Sequence, residues 1–281
     1  MAAGIVVGFT ALASLPTAAT ARSAPRQPSW IRQVLAAVPQ ITSAQGGEDV
    51  EVRTAGKTTS IDNSFAFDTT TRYASSDLTT GDSLDEIATV YASGDTAWLD
   101  LADPAFRSRI PAGKRFVTLP VQDLAKAGLV STDPAAWFAP VYLLLGATHV
   151  KYEPKKGAGH HVYTFEVDLD AAERAVPDDV RTAFLHLYGQ LPTGKRTHMS
   201  GTAEIDDQHH VVDFEVHLDA RTGADRLRFT LDLSLDQVNV SVDQTIPPDT
   251  ISVPIDSVPG LREQLQKAVG TPTANPVTGS S

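Results

Sequence analysis

The sequence predicts an α+β protein: one long antiparallel sheet with an apolar and a wet face, covered by helices. The first observation is strict alternation. Val212, Phe214, Val216 and Leu218 alternate with Asp213, Glu215, His217 and Asp219, and Leu227, Phe229, Leu231, Leu233 and Leu235 with Arg228, Thr230, Asp232, Ser234 and Asp236. Val238, Val240 and Val242 against Asn239, Ser241 and Asp243 predict a third strand. Successive strand side chains point to opposite faces, so such runs are one-sided strands. The second observation is the shortness of the polar connections Asp206-Asp207-Gln208, Thr222-Gly223-Ala224 and Asp236-Gln237, which favours antiparallel neighbours. The third is a helical segment, Asp133 to Leu145, whose Trp137, Phe138, Val141, Tyr142, Leu144 and Leu145 make it more apolar than one sheet contact needs.

The elements follow in order. Ser29 caps a short helix, Trp30 to Val38, and Gln45 to Asp49 is expected to break the chain after it. Val50 to Arg53, Asn63 to Asp68 and Glu86 to Tyr91 read as strands, and Gly94-Asp95 as a hairpin turn into Ala97 to Leu101. A turn at Ile110 to Arg115 leads into the strand Phe116 to Leu119. Val121 to Leu129 is helical, and Asp133 with Pro134 opens the apolar helix. Val150 to Glu153 and Val162 to Leu169 are strands flanking the turn Pro154 to Gly159. Ala171 to Val176 and Asp178 to Leu191 are helices, the second with Phe184, Leu187 and Tyr188 along one face. After the alternating strands come an extended Ile251 to Ile255 and a helix, Val258 to Val269. The expected organisation is a leader at 1–21, a linker and short helix at 22–44, a single domain at 45–269 and a disordered Pro/Thr/Gly/Ser tail at 270–281.

Composition narrows the function classes. With 281 residues the chain is long enough to bury a sizeable core, and 42% hydrophobic with 20% charged residues is ordinary for a globular protein. A formal charge of −11, with no basic stripe, argues against a nucleic-acid partner. Cysteine is absent, which excludes disulfides, thiol catalysis and thiolate metal sites. Residues 1–21 carry no charged side chain; Ala2 to Leu15 is apolar and Ala19-Thr20-Ala21 has the small-x-small form of an export cleavage site. No basic residue precedes that run, as a start upstream of Met1 would explain, and an uncleaved anchor is the other expectation.

The order of strand pairs, helical insertion and long antiparallel meander resembles the LolA-like fold, and more narrowly the actinobacterial LppX/LprG-type envelope lipoproteins. The residues that carry the resemblance are Trp98-Leu99-Asp100-Leu101, Pro111 to Leu119, Asp133-Pro134, Val162 to Leu169 and the meander ending in Ile246-Pro247-Pro248. It spans roughly residues 45–256, in diffuse patterns rather than a catalytic signature. The resemblance implies a half-barrel, a long curved antiparallel sheet with helices plugging its concave face around an apolar cavity for acyl chains. It departs from the lipoprotein pattern at the lipobox: Leu12-Ala13-Ser14-Leu15 is followed by no cysteine, so lipid anchoring by that route is excluded.

The chemistry-bearing residues have ordinary structural explanations. His160-His161 and His209-His210 sit at polar turns, and adjacent strand residues face opposite ways, so neither pair readily chelates one ion. Asp206-Asp207 and Asp178-Asp179 precede a turn and a helix, where aspartate serves turn and capping chemistry. No nucleophile elbow, zinc helix or phosphate loop occurs, so neither catalysis nor a cofactor or metal is expected. Asn239-Val240-Ser241 matches a glycosylation sequon inside the expected third strand.

The sequence therefore points to a non-enzymatic, extracytoplasmic carrier of acyl lipid or glycolipid, a monomer in the envelope or secreted. Its expected cavity wall is Phe165, Phe214, Val216, Phe229 and Leu231, under a lid of Trp137, Val141, Leu145, Phe184 and Leu187. The alternative is an envelope sensor on the same fold that acts on a membrane-protein partner. A solidly packed core would account for the alternation equally well.

Overall fold

The computed structural model describes residues 27–54, 57–79, 86–126, 137–153, 159–189, 191–192, 197–222 and 225–269. The leader, the tail, Asp133-Pro134 and most of the turn from Pro154 lie outside the described residues.

One sheet of twelve strands forms the molecule. In chain order the strands are β1 Ser43–Thr54, β2 Lys57–Asp68, β3 Tyr73–Thr79, β4 Glu86–Ser93, β5 Thr96–Leu101 and β6 Phe116–Pro120. They continue as β7 Ala147–Glu153, β8 His161–Val167, β9 Thr197–Ile205, β10 Val211–Thr222, β11 Asp225–Val238 and β12 Ser252–Pro254. The spatial order is β12-β6-β5-β4-β3-β2-β1-β11-β10-β9-β8-β7, so β1 bridges two meanders and the sheet does not close. Every pairing is antiparallel except β12 with β6.

The helices are α1 Ser29–Ala37, α2 Pro104–Arg107, α3 Val121–Lys126, α4 Leu169–Ala175, α5 Asp178–Tyr188 and α6 Leu261–Val269. A 3-10 segment, Ala139–Gly146, crosses the inner face from Phe138, whose ring meets Phe67 of β2 at 5.9 Å, to the edge strand β7. Flat, the six strand steps from β2 to β7 would span about 29 Å. Nine residues of 3-10 chain advance only about 18 Å. The sheet therefore curves around this segment, and the architecture is an open α+β half-barrel with helical elements on its concave side.

Burial follows the alternation. Phe214, Val216, Leu218 and Ala220 of β10 and Phe229, Leu231, Leu233 and Leu235 of β11 are all buried on the inner face, paired Phe214 to Leu233, Val216 to Leu231 and Leu218 to Phe229. α1 joins the same core: Ile31 and Val34 are fully buried, and Trp30 stacks on Tyr163 of β8 at 4.0 Å. Gln27 Nε2 donates to the Leu145 carbonyl at 2.8 Å, fastening the chain before α1 to the 3-10 segment.

Several elements differ from the sequence reading, each for a physical reason. Gln45 to Asp49 is not a break but the middle of β1. Its glycines serve a close approach: a Cβ on Gly46 would sit 2.0 Å from the Ser234 carbonyl oxygen, at a bulge between Gln45 and Gly46. The third alternating strand does not exist either. Asp236-Gln237 continues β11, which ends at Val238, and Asn239 then turns the chain with φ 54°. Asn239 Oδ1 accepts the Thr42 backbone N–H at 2.8 Å, so the sequon asparagine is a turn residue and not a strand residue. The third neighbour of β10 and β11 in the meander is β9, which precedes them.

β3, small and polar in sequence (YASSDLT), was not expected and pairs between β2 and β4. The described part of the apolar helix, Ala139–Gly146, is 3-10, with Pro140 in its first turn. Leu169 opens α4 rather than closing β8, because Asp168 Oδ1 accepts the Ala171 N–H at 2.9 Å. Of the extended Ile251 to Ile255, only Ser252–Pro254 is strand.

Candidate functional site: the inner face of the half-barrel

The expected wall residues meet on one surface. Phe165, Phe214, Val216, Phe229 and Leu231 all face inward and are buried. Phe165 stacks on Phe214 with ring centroids 5.9 Å apart, and its ring lies over Gly201 of β9, where a Cβ would come within 2.8 Å of it. Of the expected lid, Val141 and Phe184 are buried, and Trp137 and Leu145 are half-buried. Trp137 stacks on Phe65 of β2 at 4.8 Å. Leu187 belongs to α5, but its side chain lies outside the described ones. Most of the ten residues thus pack against protein, and Trp137 and Leu145 keep accessible surface.

Half-buried apolar residues remain on several elements around the core, among them Val52, Trp137, Leu145, Tyr163, Val167 and Leu227. Register places Asn63 of β2 opposite Glu48 of β1, and Phe65, under Trp137, one inward position further along β2. Glu48 faces Leu233 of β11 on its other side, and Val52, two inward positions on, faces Phe229. Trp137, Asn63, Glu48 and Val52 are all half-buried, whereas Leu231, Leu233 and Phe65 beside them are buried.

Two polar groups interrupt that wall. Glu48 points inward where alternation calls for an apolar residue, and its carboxyl is enclosed by protein. Burial, with Asp49 adding like charge, pushes its pKa up to about 7. Tyr188, at the end of α5, is 1% exposed; its ring meets Phe229 at 6.1 Å and Phe184 at 5.0 Å. Its hydroxyl has no hydrogen-bond partner, and burial together with the Glu48 charge raises its pKa well above the ordinary phenol value. The sequence reading selected neither residue for the site. The available signal was Glu48 itself, a carboxylate in phase with Val50 and Val52 once β1 is read as continuous.

The histidines and paired acids have local partners. His160 Nδ1 lies 2.7 Å from Glu204 Oε1, His161 Nε2 3.3 Å from Asp207 Oδ1, and His210 Nδ1 3.0 Å from Asp206 Oδ2. Asp206 Oδ1 also accepts the N–H of Gln208 at 2.9 Å and of His210 at 2.8 Å, closing the β9–β10 turn. Among the described residues no three metal-ligating side chains gather. Among the same residues no helix is long and apolar enough to cross a membrane.

No protein-family model matches the chain, and no curated protein matches it in sequence. Among solved structures it is similar to the Mycobacterium tuberculosis lipoprotein LppX at 16% identity and TM-score 0.36, over 77% of this chain and 97% of that one. It is also similar to a LolA superfamily protein from Nitrosomonas europaea, at 7% identity and TM-score 0.23, over 79% and 96% of the two chains. A DUF1329 family protein from Desulfovibrio piger matches at 9% identity and TM-score 0.22, over 76% and 94%. The first two carry the names of the families that the sequence resembles.

Proposed function

We propose that this chain is an extracytoplasmic carrier that holds the acyl chains of a lipid, glycolipid or lipoprotein against the inner face of its half-barrel. The observation that supports this reading is the apolar inner face assembled from strands far apart in sequence, with Trp137 and Val52 half-buried against it. In this reading Phe165, Phe214, Val216, Phe229 and Leu231 form the wall, and Trp137, Val141, Leu145, Phe184 and Leu187 the lid. The mechanism is reversible sequestration. Each methylene leaving water contributes about 0.8 kcal/mol, so a sixteen-carbon chain supplies on the order of 10 kcal/mol before the costs of association. The charge-free segment 1–21 supports an export route. No catalytic motif competes with a binding role.

Native mass spectrometry with lipid extraction tests the proposal on protein secreted from its own host. A co-purifying acyl lipid, lost in Val141→Trp or Leu231→Trp while the fold persists, is the expected result. A protein that leaves its host empty and rejects a panel of fatty acids and glycolipids would overturn it.

A further inference from the structure

The outer face of the sheet is not evenly charged. On β10 and β11 the inward positions are apolar, so Asp219, Arg221, Arg226 and Arg228 point outward, as does Arg53 next to the inward Val52 on β1. Register sets Arg53 directly opposite Arg228, Arg228 opposite Asp219, and Arg226 opposite Arg221. All four arginines are exposed. Asp219 Oδ1 accepts from Arg226 Nε at 2.8 Å, and Glu51 Oε1 lies 2.7 Å from Arg53 Nε. Among the described side chains, four guanidinium groups thus meet two carboxylates where β1, β11 and β10 approach their hairpin connections, in a chain of formal charge −11. Further along the same strands, about 13 Å away, stand the carboxylates of Asp49 and Asp232.

Like charges directly opposite weaken strand pairing, so Arg53 with Arg228 and Arg226 with Arg221 bring the fold no gain. The inner side of the same rim differs from the rest of the wall. Val52 and Leu227 are half-buried, whereas Phe229, Leu231 and Leu233 beyond them are buried. The rim therefore carries guanidinium groups outside and accessible apolar side chains inside.

We propose that this rim docks the protein on an anionic bilayer surface, with Arg53, Arg221, Arg226 and Arg228 on lipid phosphates. The guanidinium fork matches two phosphate oxygens at once. A bilayer sets such phosphates in a plane directly above acyl chains, the order in which the rim presents its arginines and then Val52 and Leu227. A nucleic acid offers phosphates without the apolar layer, and a duplex lying along this face would meet Asp49 and Asp232. The negative charge of the rest of the molecule keeps its other surfaces away from an anionic membrane, so the arginine end is the one that lands. This docking goes beyond the carrier reading and does not depend on the cargo.

The test is sedimentation of the full chain with vesicles of phosphatidylcholine alone, or mixed with phosphatidylglycerol of the same acyl chains, at low and high salt. Binding is expected to the mixed vesicles only, and should fade at high salt, which screens exposed charges. Arg221→Gln combined with Arg228→Gln leaves the Arg226–Asp219 and Arg53–Glu51 pairs in place. It should weaken binding about tenfold or more, at roughly fivefold per arginine. Arg72→Gln removes the same charge as one of these changes from the β2–β3 turn, at the opposite end of the sheet, and should leave binding unchanged. No binding at low salt, equal binding to both vesicle types, or as large a loss from Arg72→Gln as from Arg228→Gln would overturn the docking surface and leave the carrier reading standing. Tighter binding to a DNA duplex than to the mixed vesicles would overturn it as well.

Discussion

Asp49 of β1 stands directly opposite Asp232 of β11, and both carboxyls are held above the ordinary aspartate range. Partial burial is the larger cause for each, and like charge adds to it: Asp62 of β2 faces Asp49, and Glu215 of β10 faces Asp232. Four carboxylates thus form one row across the outer face of β2, β1, β11 and β10, the reverse side of the sheet from Glu48.

Directly opposed like charges weaken a sheet, so Asp49→Asn should stabilise the protein by a few tenths of a kcal/mol up to about 1 kcal/mol at pH 7 and low salt. The gain should shrink in high salt, which screens exposed charges. It should also disappear as the pH falls through the carboxyl range, where the wild-type row is protonated. Urea unfolding at two salt concentrations checks this, and a loss of stability at low salt would contradict it.

Glu48 contributes in the same sense from the inner face. Its folded-state pKa, about 7 against a reference of 4.5, means that the folded protein binds the proton more tightly than the unfolded chain. Its contribution therefore favours folding at low pH and is lost as the pH rises from about 4.5 through 7. The shift corresponds to about 3 kcal/mol. Glu48→Gln should unfold at clearly higher urea than wild type at pH 8 and much closer to it at pH 5. Parallel pH profiles for the two proteins would show that the carboxyl is solvated.

Gly201 lies between Phe165 of β8 and Val216 of β10. A methyl group there would stand 2.6 Å from the Glu215 carbonyl oxygen and 2.8 Å from the Phe165 ring, so backbone or ring must move. Gly201→Ala is expected to cost about 1–3 kcal/mol by overpacking. It should also perturb the Phe165–Phe214 stack, which near-ultraviolet circular dichroism reads. An unchanged unfolding midpoint would mean that β9 is loose at this point.

Asn239 combines a left-handed backbone with the bond to Thr42 N–H. Asn239→Ala loses both the bond and the asparagine tolerance of that conformation, at a cost of about 1–3 kcal/mol. Asn239→Gly loses only the bond and should fall between wild type and Asn239→Ala. Equal stability of the two variants would show that the left-handed conformation at 239 carries no cost for alanine.

Alternation determined by itself which face of β10 and β11 is buried, because strand side chains have a period of two wherever the strand lies. Phe214, Val216, Phe229 and Leu231 are inward for that reason. The aspartate turn at Asp206 was readable too, since turn chemistry acts within a few residues. Helix α1 and the helix from Asp178 were readable as helices, but their caps were not, because Ser29 and Asp178 lie inside them after Pro28 and Pro177, with no side-chain cap. What the tertiary structure decided is non-local. Gly46 and Gly47 look like a break until β11 is seen passing within contact of Gly46. Val238 to Val242 alternates but has no partner strand, because Asn239 is recruited by Thr42 almost two hundred residues away. β3 is small and polar in sequence and becomes a strand only between β2 and β4. Glu48 acquires its raised pKa only when the fold buries it between Leu233 and Asn63, with the Asp49 charge adding. Side-chain periodicity is a property of the local chain, whereas pairing, close approach and desolvation belong to whatever the folded chain brings alongside.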